Sequence, residues 1–222
     1  MKIIFKISLL LSFSYPQSGN FNITNGNAKD LVYSASFWLG GSQMIDPNST
    51  NRLFVQTGLS SIYIEEKSNF LKYPNIDVGL KVTKNLSLTC KSYGFQSVDE
   101  NPQVLGGGIQ YYSGDKDTLN WSTSLQRVDL KGLKHFHMTS LLLDFRKWFG
   151  WNNYKFRIGT GTILFKEHSL SGDHGFPSSM EGQINFLGID LMIPISILTL
   201  GMETRISSSR IITSLYMQKE IF

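Results

Sequence analysis

An all-β fold, closed into an antiparallel up-and-down barrel, is predicted by three features of the chain. The first is strict alternation. In the stretch from Ile76 to Val82 the apolar residues Ile76, Val78, Leu80 and Val82 share one parity, while Asp77, Gly79 and Lys81 hold the other. That is the mark of a strand with two unlike faces, and it returns in residues 154–165 and 195–206. The second is glycine inside the apolar runs, at Gly79, Gly106, Gly107, Gly108, Gly159, Gly161, Gly188 and Gly201. Each would cost a helix about 1 kcal/mol relative to alanine, whereas in a barrel wall glycine relieves crowding and lets strands coil. The third is an alternation in the length of the connections. Lys84-Asn85, residues 114–117, residues 150–153 and Pro194 read as tight turns; residues 67–75, 97–101, 129–134 and 168–180 read as longer loops.

The chain opens with a short basic region carrying Lys2 and Lys6, continues through the apolar run 7–13, and breaks at Ser14-Tyr15-Pro16. This pattern predicts a secretory signal peptide over residues 1–18, cleaved between Ser14 and Asn20, and a single barrel domain over residues 19–222. The apolar run does not alternate, which argues against a buried first strand. The whole chain holds 21 Lys and Arg against 17 Asp and Glu; without Lys2 and Lys6 the balance is 19 to 17, or +2. No run of five or six like charges and no basic aromatic motif is present, so no nucleic-acid partner is expected. Cys90 is the only cysteine. It has no disulfide partner and no metal-ligand cluster around it, and reads as a small apolar residue of a strand.

Alternation set against turn signals gives eleven strands, at residues 31–40, 52–65, 76–83, 86–96, 103–113, 119–128, 135–149, 154–166, 183–193, 195–206 and 210–219. If the short turns face the periplasm, the last strand runs inward and the first would have to begin outside. A further strand at residues 21–24, followed by the turn Asn25-Gly26-Asn27, removes that conflict and gives about twelve strands; losing an early strand gives ten. Bacterial single-chain barrels have even counts. The apolar stretch from Phe186 to Met202 is too short for a transmembrane helix, which needs about twenty predominantly apolar residues. It is also interrupted by Asp190 and Pro194, so it reads as two strands turning at Pro194.

Alternation alone does not say which face meets water. A soluble lipocalin-like barrel packs its apolar face inward, and a membrane barrel inverts this. Two observations favour the inversion. Tyr111, Tyr112, Trp121, Trp148, Trp151 and Tyr154 gather near the short turns, as an interfacial aromatic girdle does. The polar parity holds Asp77, Lys81, Asn120, Gln126, Asp144, Arg146, Lys155, Arg157, Asp190, Glu203 and Arg205, interleaved with glycine and serine. Small residues and paired charges of both signs suit a narrow lumen. Lys91 joins that lumen only if the connection at Lys84-Asn85 acts as an odd-length turn; a plain two-residue turn would send it outward.

With an exported N-terminus, even-strand arithmetic, connections of alternating length, an aromatic rim and Phe222 at the C-terminus, the chain resembles bacterial outer-membrane β-barrel proteins. The resemblance implies a location in the outer membrane of a Gram-negative-type bacterium, with the lipid bilayer and the barrel-insertion machinery as partners. In that family a terminal aromatic follows apolar residues at alternate positions. Here Glu220 and Gln218 occupy those positions, and Ile221, Met217 and Leu215 carry the other parity, so a shift in which Ile221 serves for Phe222 would restore the pattern.

The search for chemistry yields little. His135 and His137 share a strand face, and outer-membrane lipid A deacylases use a serine, a histidine and an acid on a barrel wall. The parity nevertheless sends both histidines toward lipid, while Ser140 and Asp144 point inward. Two histidines without a third ligand make a weak metal site, and Gly106-Gly107-Gly108 lacks the context of a phosphate loop. No cofactor and no metal is expected. The expected function is that of a non-enzymatic barrel, a narrow pore or a structural or docking protein with a charged, plugged lumen. A lipid-modifying enzyme and a secreted barrel with an apolar ligand are the alternatives.

Overall fold

Strands form here because alternating sequences pair edge to edge until no edge is left. The computed structural model describes residue 21 and residues 28–64, 69–97, 100–115, 118–170 and 178–222. The predicted signal peptide over residues 1–18, residues 22–24 of the candidate first strand and the predicted turn at 25–27 lie outside the described residues. Among those described, one helix precedes ten strands: α1 (Ala28–Leu39), β1 (Leu53–Ile64), β2 (Asn69–Thr83), β3 (Leu86–Gly94), β4 (Gln103–Gly114), β5 (Leu119–Lys131), β6 (Phe136–Trp151), β7 (Tyr154–Ser169), β8 (Ser179–Ile195), β9 (Leu198–Ile206) and β10 (Arg210–Ile221). Each strand pairs antiparallel with its sequence neighbours, and β1 closes on β10 over twelve residue pairs from Leu53↔Ile221 to Ile64↔Arg210.

The barrel therefore has ten strands, the alternative count, rather than about twelve. Residues 31–40 do not form a wall strand: residues 28–39 are the helix α1, and it lies inside the barrel. The alternation of Leu31, Tyr33, Ala35, Phe37 and Leu39 mimics a strand. Other signals favour the helix, namely Asp30 in the first turn and Gly40-Gly41 just past the end. Gly40 N–H still closes a helical bond to Ser36 O at 3.1 Å. From Leu31 to Leu39 every residue but the half-buried Tyr33 is buried, as expected of a helix enclosed by other elements.

Four tight turns share one end of the barrel. They are Lys84-Asn85, the β4–β5 connection, Asn152-Asn153 and Ser196-Ile197. Asn152 and Ser196 take left-handed φ angles of 54° and 59°, as two-residue hairpin turns require. The β8–β9 turn thus sits two residues beyond Pro194, which stays in the strand opposite Thr199. At the other end lie the remaining connections, from the short β9–β10 link at 207–209 to the long β7–β8 loop at 170–178.

The β2–β3 hairpin resolves the register of Lys91. Its turn is the plain two-residue kind, with Thr83 opposite Leu86, but Lys81 pairs with Ser87, which leaves Val82 as an extra residue in a β-bulge. One extra residue reverses the parity of everything after it. Lys91 accordingly lies inside, ion-paired with Asp77.

The outer face is apolar. Ile76, Val78, Leu80 and Val82 are 39–45% exposed, and Leu143, Ile158, Leu187, Ile189, Leu215 and others continue the band around the wall. An exterior of this kind is unfit for water and suited to hydrocarbon, so the secreted soluble barrel is excluded. On β8 the apolar outward row runs from Leu187 to Ile195, close to the nine to eleven tilted residues that cross a bilayer. Toward the long-loop end the outward residues of β6–β8 turn polar, with His137, Lys166, Glu181, Gln183 and Asn185. These strands of 16 to 17 residues continue past the hydrocarbon layer.

Candidate functional site

The interior is the candidate site, and it has two halves. Toward the long-loop end, inward residues such as Ile62, Val128, Leu142, Ile163, Phe186 and Ile212 are buried around α1. The small and charged lining expected from the sequence is thus one half of the interior, and this half is apolar. These positions carry runs that are apolar on both parities, such as Leu141-Leu142-Leu143 and Ile163-Leu164-Phe165. A strand with two apolar faces is covered on both, here by lipid outside and by α1 inside. Trp38 stacks on Tyr73 at 4.6 Å between ring centroids and donates its indole N–H to Pro74 O at 3.1 Å and Asn75 Oδ1 at 3.0 Å. Phe21 packs on Trp38, Tyr73 and Phe95.

Toward the tight-turn end the interior is charged. Arg146 donates from Nε to Asp144 Oδ1 at 2.8 Å, from Nη1 to Asp190, and from Nη2 to Glu203 Oε1 at 3.1 Å. Arg157 Nε donates to Asp190 Oδ2 at 2.9 Å, and Arg205 Nε lies 3.4 Å from Glu203 Oε1. All six side chains are buried. Three guanidiniums thus meet three carboxylates, and the wall neutralises itself, as charges withdrawn from water must. Glycines make the space. A Cβ on Gly188 would fall 2.5 Å from Arg146 Cζ, and one on Gly201 2.0 Å from Tyr216 Cζ.

A single segment threads both halves. Asp30 at the long-loop end pairs with Arg210 at 3.0 Å. Beyond α1, Ser42 donates to Asp144 at 3.1 Å, Gln43 Nε2 donates to Phe54 O at 3.3 Å, and Gln43 O accepts from Gln110 at 2.6 Å. Gln126 donates to Gly41 O at 3.0 Å. At the tight-turn end Asp46 pairs with Lys155, Lys81 Nζ donates to Pro47 O and to Ser49 O at 2.7 Å, and Asn48 donates to Leu119 O at 2.9 Å. The polypeptide thus crosses the barrel from the long-loop mouth to the tight-turn mouth before β1 begins. This accounts for the conflict in the strand arithmetic: the first element does start at the long-loop end, but inside the wall rather than in it.

The other residues singled out from sequence fall as follows. Asp77, Lys81, Gln126, Asp144, Arg146, Arg157, Asp190, Glu203 and Arg205 are buried in the interior; Asn120 and Lys155 are half-buried at the tight-turn mouth. Tyr111, Trp151 and Tyr154 are exposed on the outer face, and Trp121 is half-exposed there, stacked on Phe145 at 4.8 Å. Tyr112 and Trp148 are not girdle residues. Tyr112 cannot share a face with its neighbour Tyr111, and Trp148 has the parity of Asp144 and Arg146. Both are buried, Tyr112 donating to Gln110 Oε1 at 2.8 Å and Trp148 donating to Ser122 Oγ at 3.2 Å. His137 lies on the outer face and stacks on His168 at 5.2 Å, whereas Ser140 and Asp144 point inward, so no serine, histidine and acid converge there. Among the described residues no group of three or more His, Cys, Asp or Glu is placed to hold a metal.

No family model and no curated protein matches the sequence. Among solved structures, the barrel is similar to the β domain of the Bordetella autotransporter BrkA (TM-score 0.43, 9% identity, covering 78% of this chain and 100% of that one). It is also similar to the translocator domain of the autotransporter NalP from Neisseria meningitidis (TM-score 0.41, 13% identity, 87% and 94%) and to the outer membrane protein Omp33 of Acinetobacter baumannii (TM-score 0.36, 10% identity, 77% and 98%). The membrane reading follows from the chain's own two faces: a closed antiparallel barrel, apolar outside and charge-paired within, is an outer-membrane β-barrel.

Proposed function

We propose that this outer-membrane barrel is a sealed, non-enzymatic scaffold, a structural or docking barrel rather than an open pore. One observation carries the reading. Residues 28–50 run from mouth to mouth and meet the wall through an apolar contact in one half and matched polar groups in the other. An open pore needs a continuous wetted path, and an interior packed with Trp38, Phe37 and Leu39 offers none through the long-loop half. The opposite faces taken by Ser140 and His137 support the absence of a hydrolytic site. Residues 1–18 serve for export and residues 19–222 form the mature barrel. Phe21, buried against Trp38, sets the latest point at which cleavage leaves the interior intact, and N-terminal sequencing of the mature protein tests this. For the barrel-insertion machinery, the outward row Leu215, Met217, Lys219 and Ile221 is the segment to be read, with Ile221 in place of Phe222.

The seal is tested in planar bilayers. The purified wild-type barrel is expected to give no sustained conductance, and replacement of residues 30–45 by a Gly/Ser linker of equal length is expected to give a steady open level. Sustained conductance by the wild type would overturn the proposal.

A further inference from the structure

At the tight-turn end, the rim between the start of β1 and the β2–β3 turn holds an open cleft of about 200 Å³, lined among others by Ser49, Thr50, Arg52, Lys81, Val82 and Lys84. Three of these side chains are basic, and no carboxylate belongs to the lining. Two acids, Asp46 and Glu220, lie close enough to act on the Lys81 ammonium, and each has partners of its own. Glu220 accepts from Ser49 Oγ at 2.7 Å and Asn51 Nδ2 at 3.0 Å, and Asp46 pairs with Lys155. Lys81 is held in place by two backbone carbonyls, Pro47 O and Ser49 O. Those bonds use two of the three N–H groups of an ammonium and cancel none of its charge.

Position decides what such a cleft would meet. Val82 is the last residue of the outward apolar row Ile76, Val78, Leu80 and Val82, and it is 45% exposed. Thr83 and Lys84 beyond it are exposed to solvent. The cleft thus bends over the rim from Lys81 on the inner side to Val82 on the lipid side, at the level where hydrocarbon gives way to headgroups. An arginine and two lysines around a small polar cleft suit a phosphate group, which takes charge-assisted hydrogen bonds from both residue types.

We propose that this cleft binds the phosphate group of an anionic phospholipid from the leaflet at the tight-turn end. It is independent of the interior segment's role as a seal. Phosphate chemistry is common to a lipid headgroup and to free phosphate, and the test separates them. Wild-type barrel, the double variant Arg52→Ala/Lys84→Ala and the control Lys147→Ala are reconstituted with mixed phosphatidylglycerol and phosphatidylcholine. Lipid adducts retained after release are then counted by native mass spectrometry. Lys81 is left in place because it anchors residues 47–49. Lys147 is another basic residue near this end, outside the cleft, lying over the rings of Trp121 and Phe149.

The double variant is expected to keep heat-modifiable migration and to lose phosphatidylglycerol affinity by roughly 10- to 30-fold, since each basic side chain near an anionic surface contributes about 1 kcal/mol. Lys147→Ala is expected to retain the adduct. Displacement by excess inorganic phosphate, but not by chloride at equal ionic strength, would support a site that reads the phosphate group from either source. Resistance to both salts, with loss in the double variant, would support the bilayer lipid as the source. Equal retention by wild type and double variant, or equal loss in Lys147→Ala, would overturn the proposal.

Discussion

Lys91 owes its place inside the barrel to Val82, the extra residue of the β2 bulge, and its partner Asp77 is buried with it. Removing one member of a buried pair leaves the other uncompensated, at about 3–5 kcal/mol, while removing both is often close to neutral. Lys91→Met is therefore expected to lower the urea midpoint of the folded barrel strongly, and Asp77→Asn/Lys91→Met to recover most of the loss; the migration shift between folded and unfolded barrel on a gel reads both. A second test is steric. A Cβ on Gly159 would lie 2.0 Å from Phe145 O and 2.7 Å from Arg146 Cα, which are backbone atoms with little freedom to yield. Gly159→Ala is expected to destabilise by about 1–3 kcal/mol, the range of overpacked sites, while Gly150→Ala, with nothing within 4 Å, is expected to leave the midpoint unchanged. At this scale the sequence was legible wherever parity ran unbroken, as from Asp144 to Arg146. It became illegible at Lys91, because a bulge leaves no mark in an alternating pattern until the partner strand is known.

Among the elements, the ten wall strands were readable from their two-residue period, except that residues 69–75, read as part of a loop, form the first half of β2, and α1 was not readable. Period-2 and helical readings of Leu31 to Leu39 compete, and a helix wrapped on all sides loses the polar face that would identify it. The better signal lay elsewhere, in wall strands that are apolar on both faces opposite the helix. If α1 is the core of that half, breaking it must loosen the wall. Ser36→Pro places a proline in the helix interior, where the lost hydrogen bond and ring clash cost about 3 kcal/mol or more. Trp38→Ala removes the ring stacked on Tyr73 at about 3–5 kcal/mol, the range for a buried aromatic. Both are expected to lower the urea midpoint and to produce transient conductance in planar bilayers. A leaky barrel with an unchanged midpoint would mean that the helix seals without supporting the wall.

For the whole molecule, the direction of insertion follows from which end carries the tight turns, and it is testable at single positions. If the tight turns face the periplasm, the β9–β10 loop with Ser208 faces outward and Asn152 faces inward. Cys90 does not interfere, since it sits on the lipid-facing row beside Val78 and opposite Gly107, where a charged reagent has no access through hydrocarbon. In intact cells a membrane-impermeant maleimide is expected to label Ser208→Cys and to leave Asn152→Cys and the wild type unlabelled. Permeabilising the outer membrane should then expose Asn152→Cys. The opposite pattern would invert the molecule. The same result fixes the path of the interior segment, because Asp30 is tied to Arg210 at the Ser208 end and Asn48 to Leu119 at the Asn152 end. Labelling at Ser208 alone therefore means that residues 28–50 run from the cell exterior to the periplasm through the barrel, with the charged half of the interior and its rim cleft on the periplasmic side.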